Sequence, residues 1–186
     1  MRVQGMRTTS VEDAWPGGDL VATRADFDDF YRAELPRLVA LARALCGATL
    51  ADDVAQEAML AAYRKWRQVG DLQYPAGWVR RTCANLAVSQ YRRRVIEVRA
   101  LTRLGSRPEA VPLEGPDEEF WAAVHKLPAR QAQAVALRYV YELDIAEIAE
   151  TLAISQGSVK QHLSRARARL ATELHLGAPE VEEDAQ

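Results

Sequence analysis

Polar and basic side chains suited to nucleic-acid binding are concentrated in one stretch of the sequence, residues 144–170. Past Ser155, glutamine, serine, lysine and arginine recur at positions that a helix would place on its outer face. Amides, hydroxyls and guanidinium groups hydrogen-bond to base edges, and cations hold phosphates. We therefore expect this stretch to recognise duplex DNA. The candidate residues are Ser158, Lys160, Gln161, Ser164, Arg165 and Arg167.

Two short helices joined by a tight turn are predicted to hold these side chains in place. Asp144 and Glu147 fit a capping box, which predicts a helix that begins at Ile145. Ser155 is a good N-cap for the second helix, and Ala153 takes the turn position at which glycine tolerates a positive φ most easily. This pattern is typical of a helix-turn-helix whose second helix enters the major groove. A solvated helix pair in an ordinary helical domain is the alternative, but the two caps and the one-sided charge favour DNA binding.

Patterns for catalysis, metal binding and membrane insertion are missing from the sequence. Cys46 and Cys83 are the only cysteines and no Cys/His cluster accompanies them, so no metal site is expected. The sequence has neither a glycine-rich phosphate loop nor a nucleophile paired with a base, so we expect no enzyme, no catalytic residue and no cofactor. No apolar run approaches the ~20 residues of a membrane span, and the N-terminus lacks a secretory signal. A cytoplasmic protein is predicted.

The distribution of apolar residues predicts an all-α protein of two small helical domains joined by a flexible linker, the second containing the helix-turn-helix. The net charge is only −2 over 186 residues, yet arginines crowd into the window 80–103 and acids into the C-terminal end. Such local blocks of charge decide what the protein attracts. The predicted segments are a flexible leader at 1–24, a helical domain at 25–95, a linker at 96–117, a helix-turn-helix domain at 118–176 and an acidic tail at 177–186.

Three helices are predicted in the first domain, at about 25–46, 50–68 and 76–94, because apolar residues recur there at helical spacing. Pro36 lies inside the first of them. Since proline removes one backbone hydrogen bond, we expect it to kink or divide that helix.

Two surfaces of the first domain can each be interpreted in two ways from the residues alone. The helix at 50–68 leaves Asp53, Gln56 and Glu57 on its outer side. They are either residues favoured by the helix dipole or an acidic face for a basic protein partner, and spacing alone favours the dipole. The loop 70–75 and the helix after it combine aromatic residues with a basic run. They form either a solvated helix end or a surface on which unpaired bases stack.

Two blocks of the sequence together resemble a known family. The first is ADDVAQEAMLAAYRKW followed by PAGWVRRTCANLAVSQYRRR, and the second is LPARQAQAVALRYVYELDIAEIAETLAISQGSVKQHLSRARARL. In this order they resemble regions 2 and 4 of bacterial RNA polymerase sigma factors of the extracytoplasmic-function type. The competing hypothesis is a dimeric helix-turn-helix transcription regulator without sigma activity, which would bind a palindromic operator without polymerase.

The resemblance implies a factor that binds core RNA polymerase and directs promoter recognition and opening. Asp53, Gln56 and Glu57 match the family's contact with the coiled coil of the polymerase clamp, and the helix-turn-helix would read the −35 element as duplex. The residues that match the capture of unpaired −10 bases are Tyr74, Trp78, Arg80, Arg81, Asn85 and Arg92. Core polymerase and promoter DNA are the expected partners, and members of this family are often held by an anti-sigma factor.

Overall fold

A computed structural model describes residues 17–103 and 117–175, with side chains from Asp26 onward. The all-α prediction is confirmed, because these ranges contain only helices and turns and no strand. The helices are α1 (Gly17–Cys46), α2 (Ala48–Arg64), α3 (Trp66–Val69), α4 (Pro75–Arg103), α5 (Glu118–His125), α6 (Ala129–Val140), α7 (Ile145–Leu152) and α8 (Gln156–Glu173). Among them we find none with the length and apolar character that a membrane span requires.

Helices α1, α2 and α4 pack against one another and form the first domain. Each has one apolar face, since its apolar residues recur at three- and four-residue spacing. Leu38, Met59 and Val79 lie at the centre of this bundle and are no more than 1% exposed. The short helix α3 is held against α1 by an edge-on aromatic contact between Trp66 and Phe27, whose ring centroids are 5.0 Å apart.

Helices α5 to α8 form the second domain, around the fully buried side chains of Val124, Leu137, Ile148 and Val159. Helix α8 packs against α5, α6 and α7. One side of α8 is therefore fixed in the core of this domain, and its opposite side faces outward.

The first helix differs from its predicted form in two respects. It begins at Gly17, within the predicted leader, and it continues through Pro36 as one element. Pro36 is exposed, so water can hydrogen-bond to the backbone carbonyl that proline leaves without its usual partner. Residues 1–16 of the predicted leader lie outside the described part of the chain.

The other two helices of the first domain also have different bounds from those predicted. The helix expected at 50–68 is divided into α2 and α3 at Lys65, which has non-helical backbone angles. Helix α4 continues nine residues past Arg94 to Arg103, supported by an ion pair of 3.1 Å between Arg94 and Glu97 on its surface. The predicted linker therefore begins as helix, and its residues 104–116 lie outside the described ranges.

The two domains pack against each other along one broad face. Helix α1 contacts α5 and α6, and α4 contacts α6 and α7. The His125 ring nitrogen Nε2 lies 2.9 Å from the Ala44 carbonyl, and the same ring packs at a tilt of 40° against Tyr91, with centroids 4.5 Å apart. Arg37 donates a hydrogen bond of 3.3 Å to the Tyr141 carbonyl. These contacts fix the orientation of one domain on the other.

Candidate polymerase and nucleic-acid interfaces

The helix-turn-helix has the caps that the sequence predicts. The Glu147 amide donates to the Asp144 carboxylate and the Asp144 amide donates to the Glu147 carboxylate, both at 2.8 Å. The Ser158 amide donates to the Ser155 hydroxyl at 3.1 Å. Ala153 adopts the left-handed conformation, with φ 52° and ψ 52°. The predicted helix starts and the positive φ at the turn are all confirmed.

Helix α8 presents the predicted duplex-reading residues on its outer side. Val159 and Ala166 are fully buried on its inner side and Leu170 is 8% exposed. Ser158 is half-buried, and its hydroxyl lies 2.9 Å from that of Ser155. The exposed predicted residues are Lys160, Gln161, Ser164, Arg165 and Arg167. This face therefore offers hydrogen-bonding groups and positive charge on a rigid helix, as a major-groove reader requires.

Helix α2 presents the predicted acidic face. Asp53, Gln56 and Glu57 are exposed, on the side opposite the buried residues of the same helix. Beside them runs an open groove of about 570 Å³ between α1 and α2, which includes Leu60 and Tyr63. Both of these apolar side chains are exposed, Tyr63 by 49% and Leu60 by 45%. The surface thus combines carboxylates with apolar side chains, which suits a protein partner better than nucleic acid.

Three of the six predicted single-strand residues meet at a cleft beside the first turns of α4. Tyr74, Trp78 and Arg81 line a cleft of about 250 Å³. Its other wall is formed by Glu150 and Thr151 of α7, in the second domain. Two aromatic rings and a guanidinium group around one cleft are the groups that stack on bases and hold phosphates.

Arg80 is buried, although the sequence suggested a residue facing DNA. Its guanidinium forms a bidentate ion pair with Glu34, with nitrogen–oxygen distances of 2.7 and 3.2 Å, and it also donates to the Tyr74 hydroxyl. The Tyr141 ring lies 4.3 Å from the Arg80 guanidinium carbon. Burial acts to lower the pKa of Arg80, but the hydrogen bond and charge of Glu34 more than offset this and raise it. Arg80 therefore contributes to this site indirectly, by holding the Tyr74 hydroxyl in place.

Asn85 and Arg92 lie further along α4. Both are exposed, and the Asn85 side-chain oxygen accepts a hydrogen bond of 2.9 Å from Gln133 of α6. Of the predicted single-strand residues, the cleft gathers Tyr74, Trp78 and Arg81. Asn85 and Arg92 are not among the residues that line it.

The cleft also depends on residues that were not predicted from the sequence. Glu34 lies at helical spacing within the apolar stripe of α1, and a carboxylate in such a stripe is the signal of a buried ion pair. Gly77 is buried, and a Cβ added there would overlap the Tyr74 ring. Its position one turn before Arg81 carries no sequence signal of that contact. Gln133, which contacts Asn85, and Tyr141, which contacts Arg80, belong to the second domain.

The cysteines are unsuited to metal binding or nucleophilic chemistry. Cys46 and Cys83 are both buried and unpaired by disulfide. Burial raises the pKa of each thiol to about 12, and the neighbouring Cys46 adds a smaller rise to the pKa of Cys83. Neither cysteine therefore forms a thiolate near neutral pH. Within 17–103 and 117–175 there is no group of three or more metal-binding side chains.

Comparison with protein families assigns both domains. Residues 30–95 match the family described as Sigma-70 region 2, and residues 117–170 match the family described as Sigma-70, region 4. The first match covers most of α1 to α4, and the second runs from the start of α5 into α8. The two regions occur in the order that the sequence blocks suggested, so the competing hypothesis of a simple dimeric regulator is not favoured.

Similarity to individual proteins extends over most of the chain. The ECF RNA polymerase sigma factor SigM of Mycobacterium tuberculosis is 30% identical over 160 residues, which cover 80% of this chain and 76% of that protein. The RNA polymerase sigma-E factor of Streptomyces coelicolor is 28% identical over 152 residues, covering 80% and 86%.

A solved structure has the same fold. The sigma factor RpoE of Bartonella quintana, in complex with the anti-sigma factor NepR, is 26% identical to this chain, with a TM-score of 0.63. The match covers 82% of this chain and 99% of that one. The family matches, the relatives and the shared fold all agree with one another. The chain therefore belongs to the extracytoplasmic-function sigma factors, which bind core RNA polymerase and direct promoter recognition and opening.

Proposed function

We propose that the outer face of α8 reads the −35 element as duplex DNA. The observation that carries this assignment is the one-sided surface of α8, with Lys160, Gln161 and Arg165 exposed opposite a buried inner side. Lysine and arginine neutralise phosphates, while glutamine and arginine hydrogen-bond to base edges in the major groove. Ser158, Ser164 and Arg167 complete the proposed reading surface.

We assign the capture of unpaired −10 bases to the cleft of Tyr74, Trp78 and Arg81. Extruding a base from the duplex costs a few kcal/mol, and stacking on an aromatic ring returns about 1–3 kcal/mol per base. Trapping the opened strand in this cleft would therefore drive opening without covalent chemistry. Asn85 and Arg92 would follow the strand along α4. Arg80 would act indirectly, by holding the Tyr74 hydroxyl.

The exposed acidic face of α2 is the proposed contact with the polymerase clamp. Asp53, Gln56 and Glu57 would meet basic side chains there, which speeds association and fixes the register of docking. The groove beside them, with Leu60 and Tyr63, offers apolar area to the same partner.

The two DNA-reading domains are tethered in one chain, so their joint binding exceeds that of either alone through effective concentration. We propose domain limits of 25–95 and 118–176, with a leader, a linker and a tail outside them.

A sigma factor works where the polymerase works, so we infer that the protein acts in the cytoplasm as a non-enzymatic subunit. An anti-sigma factor is a further proposed partner, supported by the fold shared with RpoE in its complex with NepR.

Run-off transcription with purified bacterial core polymerase and sheared genomic DNA of the source organism tests the proposal. We expect discrete transcripts that require this protein, with start sites that reveal both promoter elements. Binding to core polymerase without transcripts would contradict the assignment of the DNA-reading faces. Sequence-specific duplex binding by the protein alone, without core binding, would instead favour the dimeric regulator.

A further inference from the structure

One face of α4 continues from the proposed strand-binding cleft to the end of the helix. Its residues follow one another at intervals of three, four or seven positions, so they lie within an arc of about 60° around the helix axis. The first two line the cleft, and the other five are exposed. In chain order they are Trp78, Arg81, Asn85, Arg92, Ile96, Arg99 and Arg103.

The last part of this face, which we call the extension face, consists of Ile96, Arg99 and Arg103. It lies beyond residue 95, where the match to Sigma-70 region 2 ends. Glu97 is the only acid between residues 92 and 103, and it pairs with Arg94 at 3.1 Å on the other side of the helix. Within the described ranges no carboxylate pairs with Arg99 or Arg103. The extension face therefore carries uncompensated positive charge.

The chemistry of the extension face suits phosphates better than unpaired bases or a protein surface. Residues 92–103 include no aromatic side chain on which a base could stack. Ile96 is 67% exposed, and the other exposed apolar side chain, Leu101, lies about 140° away around the helix. The two therefore form no continuous apolar patch of the kind found at the core of a protein interface. Guanidinium groups, in contrast, bind phosphate oxygens directly.

The position of the extension face along α4 indicates which form of DNA it would meet. Helix α4 begins beside the cleft assigned to unpaired −10 bases, and the chain after its end leads to the domain assigned to the −35 duplex. A strand that leaves the cleft along α4 toward the −35 element must pair again before it reaches α8. Arg92 and Arg103 are about 16 Å apart along the helix axis, the length of about five base pairs of duplex. The upstream edge of the melted region would therefore lie beside the extension face.

We propose that Arg99 and Arg103 hold backbone phosphates of the duplex immediately upstream of the −10 element. This inference rests on the proposed function of the cleft, because that assignment sets the direction of the strand along α4. The contact is independent of base sequence, since every base pair carries the same phosphates. It would fix the point at which the strands separate, because the last paired nucleotides are held while the next bases stack in the cleft.

The first experiment measures how strongly salt weakens the binding of a forked DNA of arbitrary sequence. The fluorescent probe has a duplex arm of about 12 base pairs and a single-stranded tail of about 10 nucleotides, and the full-length protein is titrated against it. Arg99→Gln with Arg103→Gln removes both charges but keeps good helix formers. The matched control is Arg64→Gln with Arg67→Gln, which removes two exposed arginines of α2 and α3.

Loss of two phosphate contacts should lower the slope of log K against log salt concentration by about 1.8, and the control variant should lower it by less than about 0.5. At a salt concentration of about 0.1 M the first variant should bind the forked probe about tenfold more weakly than the control. Both variants should bind a single strand of the same total length, without the duplex arm, equally well. An equal slope for the two variants on the forked probe would overturn the proposal. A loss as large on the single strand as on the fork would also overturn it, because the contact would then not be with duplex.

The second experiment locates the DNA beside the extension face in the presence of core polymerase. An iron chelate attached to Ile96→Cys cleaves nearby DNA, and Leu101→Cys on the other side of α4 is the matched control. The native Cys46 and Cys83 are buried with a pKa of about 12, so they react slowly with the chelate. From position 96 we expect cleavage of the forked probe within about five base pairs of the junction, and little from position 101. Cleavage only in the single-stranded tail would overturn the duplex contact, and cleavage of a polymerase subunit instead of DNA would show that the face binds protein.

The outcomes separate the duplex contact from the proposed function. Run-off transcription reports the function independently, because it requires neither the forked probe nor the chelate. Transcripts together with an unchanged salt slope would refute the duplex contact alone. A lowered salt slope without transcripts would refute the function and leave the phosphate contact of Arg99 and Arg103 standing.

Discussion

Replacing Glu34 by alanine should destabilise the protein far more than the loss of a carboxylate from its surface. The Glu34 and Arg80 side chains are 12% and 8% exposed, and two hydrogen bonds of 2.7 and 3.2 Å join them. Glu34→Ala would leave the Arg80 guanidinium buried without its carboxylate. Loss of one partner from a buried ion pair costs about 3–5 kcal/mol, which is a large part of the roughly 5–15 kcal/mol that stabilises a typical domain.

The matched control is Asp29→Ala on the same helix. Asp29 pairs with Arg32 at 3.0 Å, but these side chains are 84% and 72% exposed. Solvent screens such a pair, so its loss should cost no more than about 0.5 kcal/mol. Urea unfolding followed by circular dichroism and tryptophan fluorescence gives the free energy of unfolding of each variant.

A double variant separates the charge effect from the loss of packing. Glu34→Leu with Arg80→Met removes both charges and keeps apolar volume, so it should recover most of the stability that Glu34→Leu alone loses. The reasoning is refuted if Glu34→Ala comes within about 1 kcal/mol of Asp29→Ala.

The remaining predictions concern the three binding faces and the contact between domains. Lys160→Glu should lower promoter use about tenfold or more in run-off transcription while binding to core polymerase stays intact; unchanged promoter use would remove Lys160 from the reading surface. Glu57→Lys should weaken binding to core polymerase, and a pull-down equal to wild type would contradict the clamp contact. Gly77→Ala should displace the Tyr74 ring and weaken promoter opening, measured by permanganate footprints, more than binding of duplex −35 DNA. Burial lowers the pKa of His125, and the Ala44 carbonyl offsets this only in part. The contribution of neutral His125 to the free energy of unfolding is therefore complete above a pH of about 6.5 and declines as pH falls below that value. His125→Gln should flatten this part of the pH profile of unfolding, and an unchanged profile would exclude His125 as its cause.

The helix-turn-helix could be predicted almost residue by residue. Its boundaries depend on hydrogen bonds between side chains and backbone three residues apart, as in the pair Asp144 and Glu147 and the cap at Ser155. Its exposed face follows from helical periodicity, because the inner side is fixed by Val159 and Leu170. Interactions this local are encoded in a short window of sequence.

The ends of the first-domain helices were harder to predict. Pro36 does not interrupt α1, and the basic run after Tyr91 does not end α4. In both cases the local sequence signal for a helix end competes with the packing and solvation of the helix. The signal alone therefore does not determine where the helix ends. The resemblance of the sequence to sigma factors was confirmed, since it depends on the order of many residues rather than on a single helix end.

Sequence patterns are sufficient to predict the helical periodicity, the caps of the helix-turn-helix and the types of side chain on each outer face, because these properties arise within a few turns of helix. The burial of Arg80 against Glu34 and the position of the second domain over the proposed strand-binding cleft follow instead from the tertiary packing. The contact from Gln133 to Asn85 spans 48 positions in the chain, and that from Tyr141 to Glu34 spans 107. Such contacts depend on how two finished surfaces fit together, and no periodicity within either segment specifies that fit.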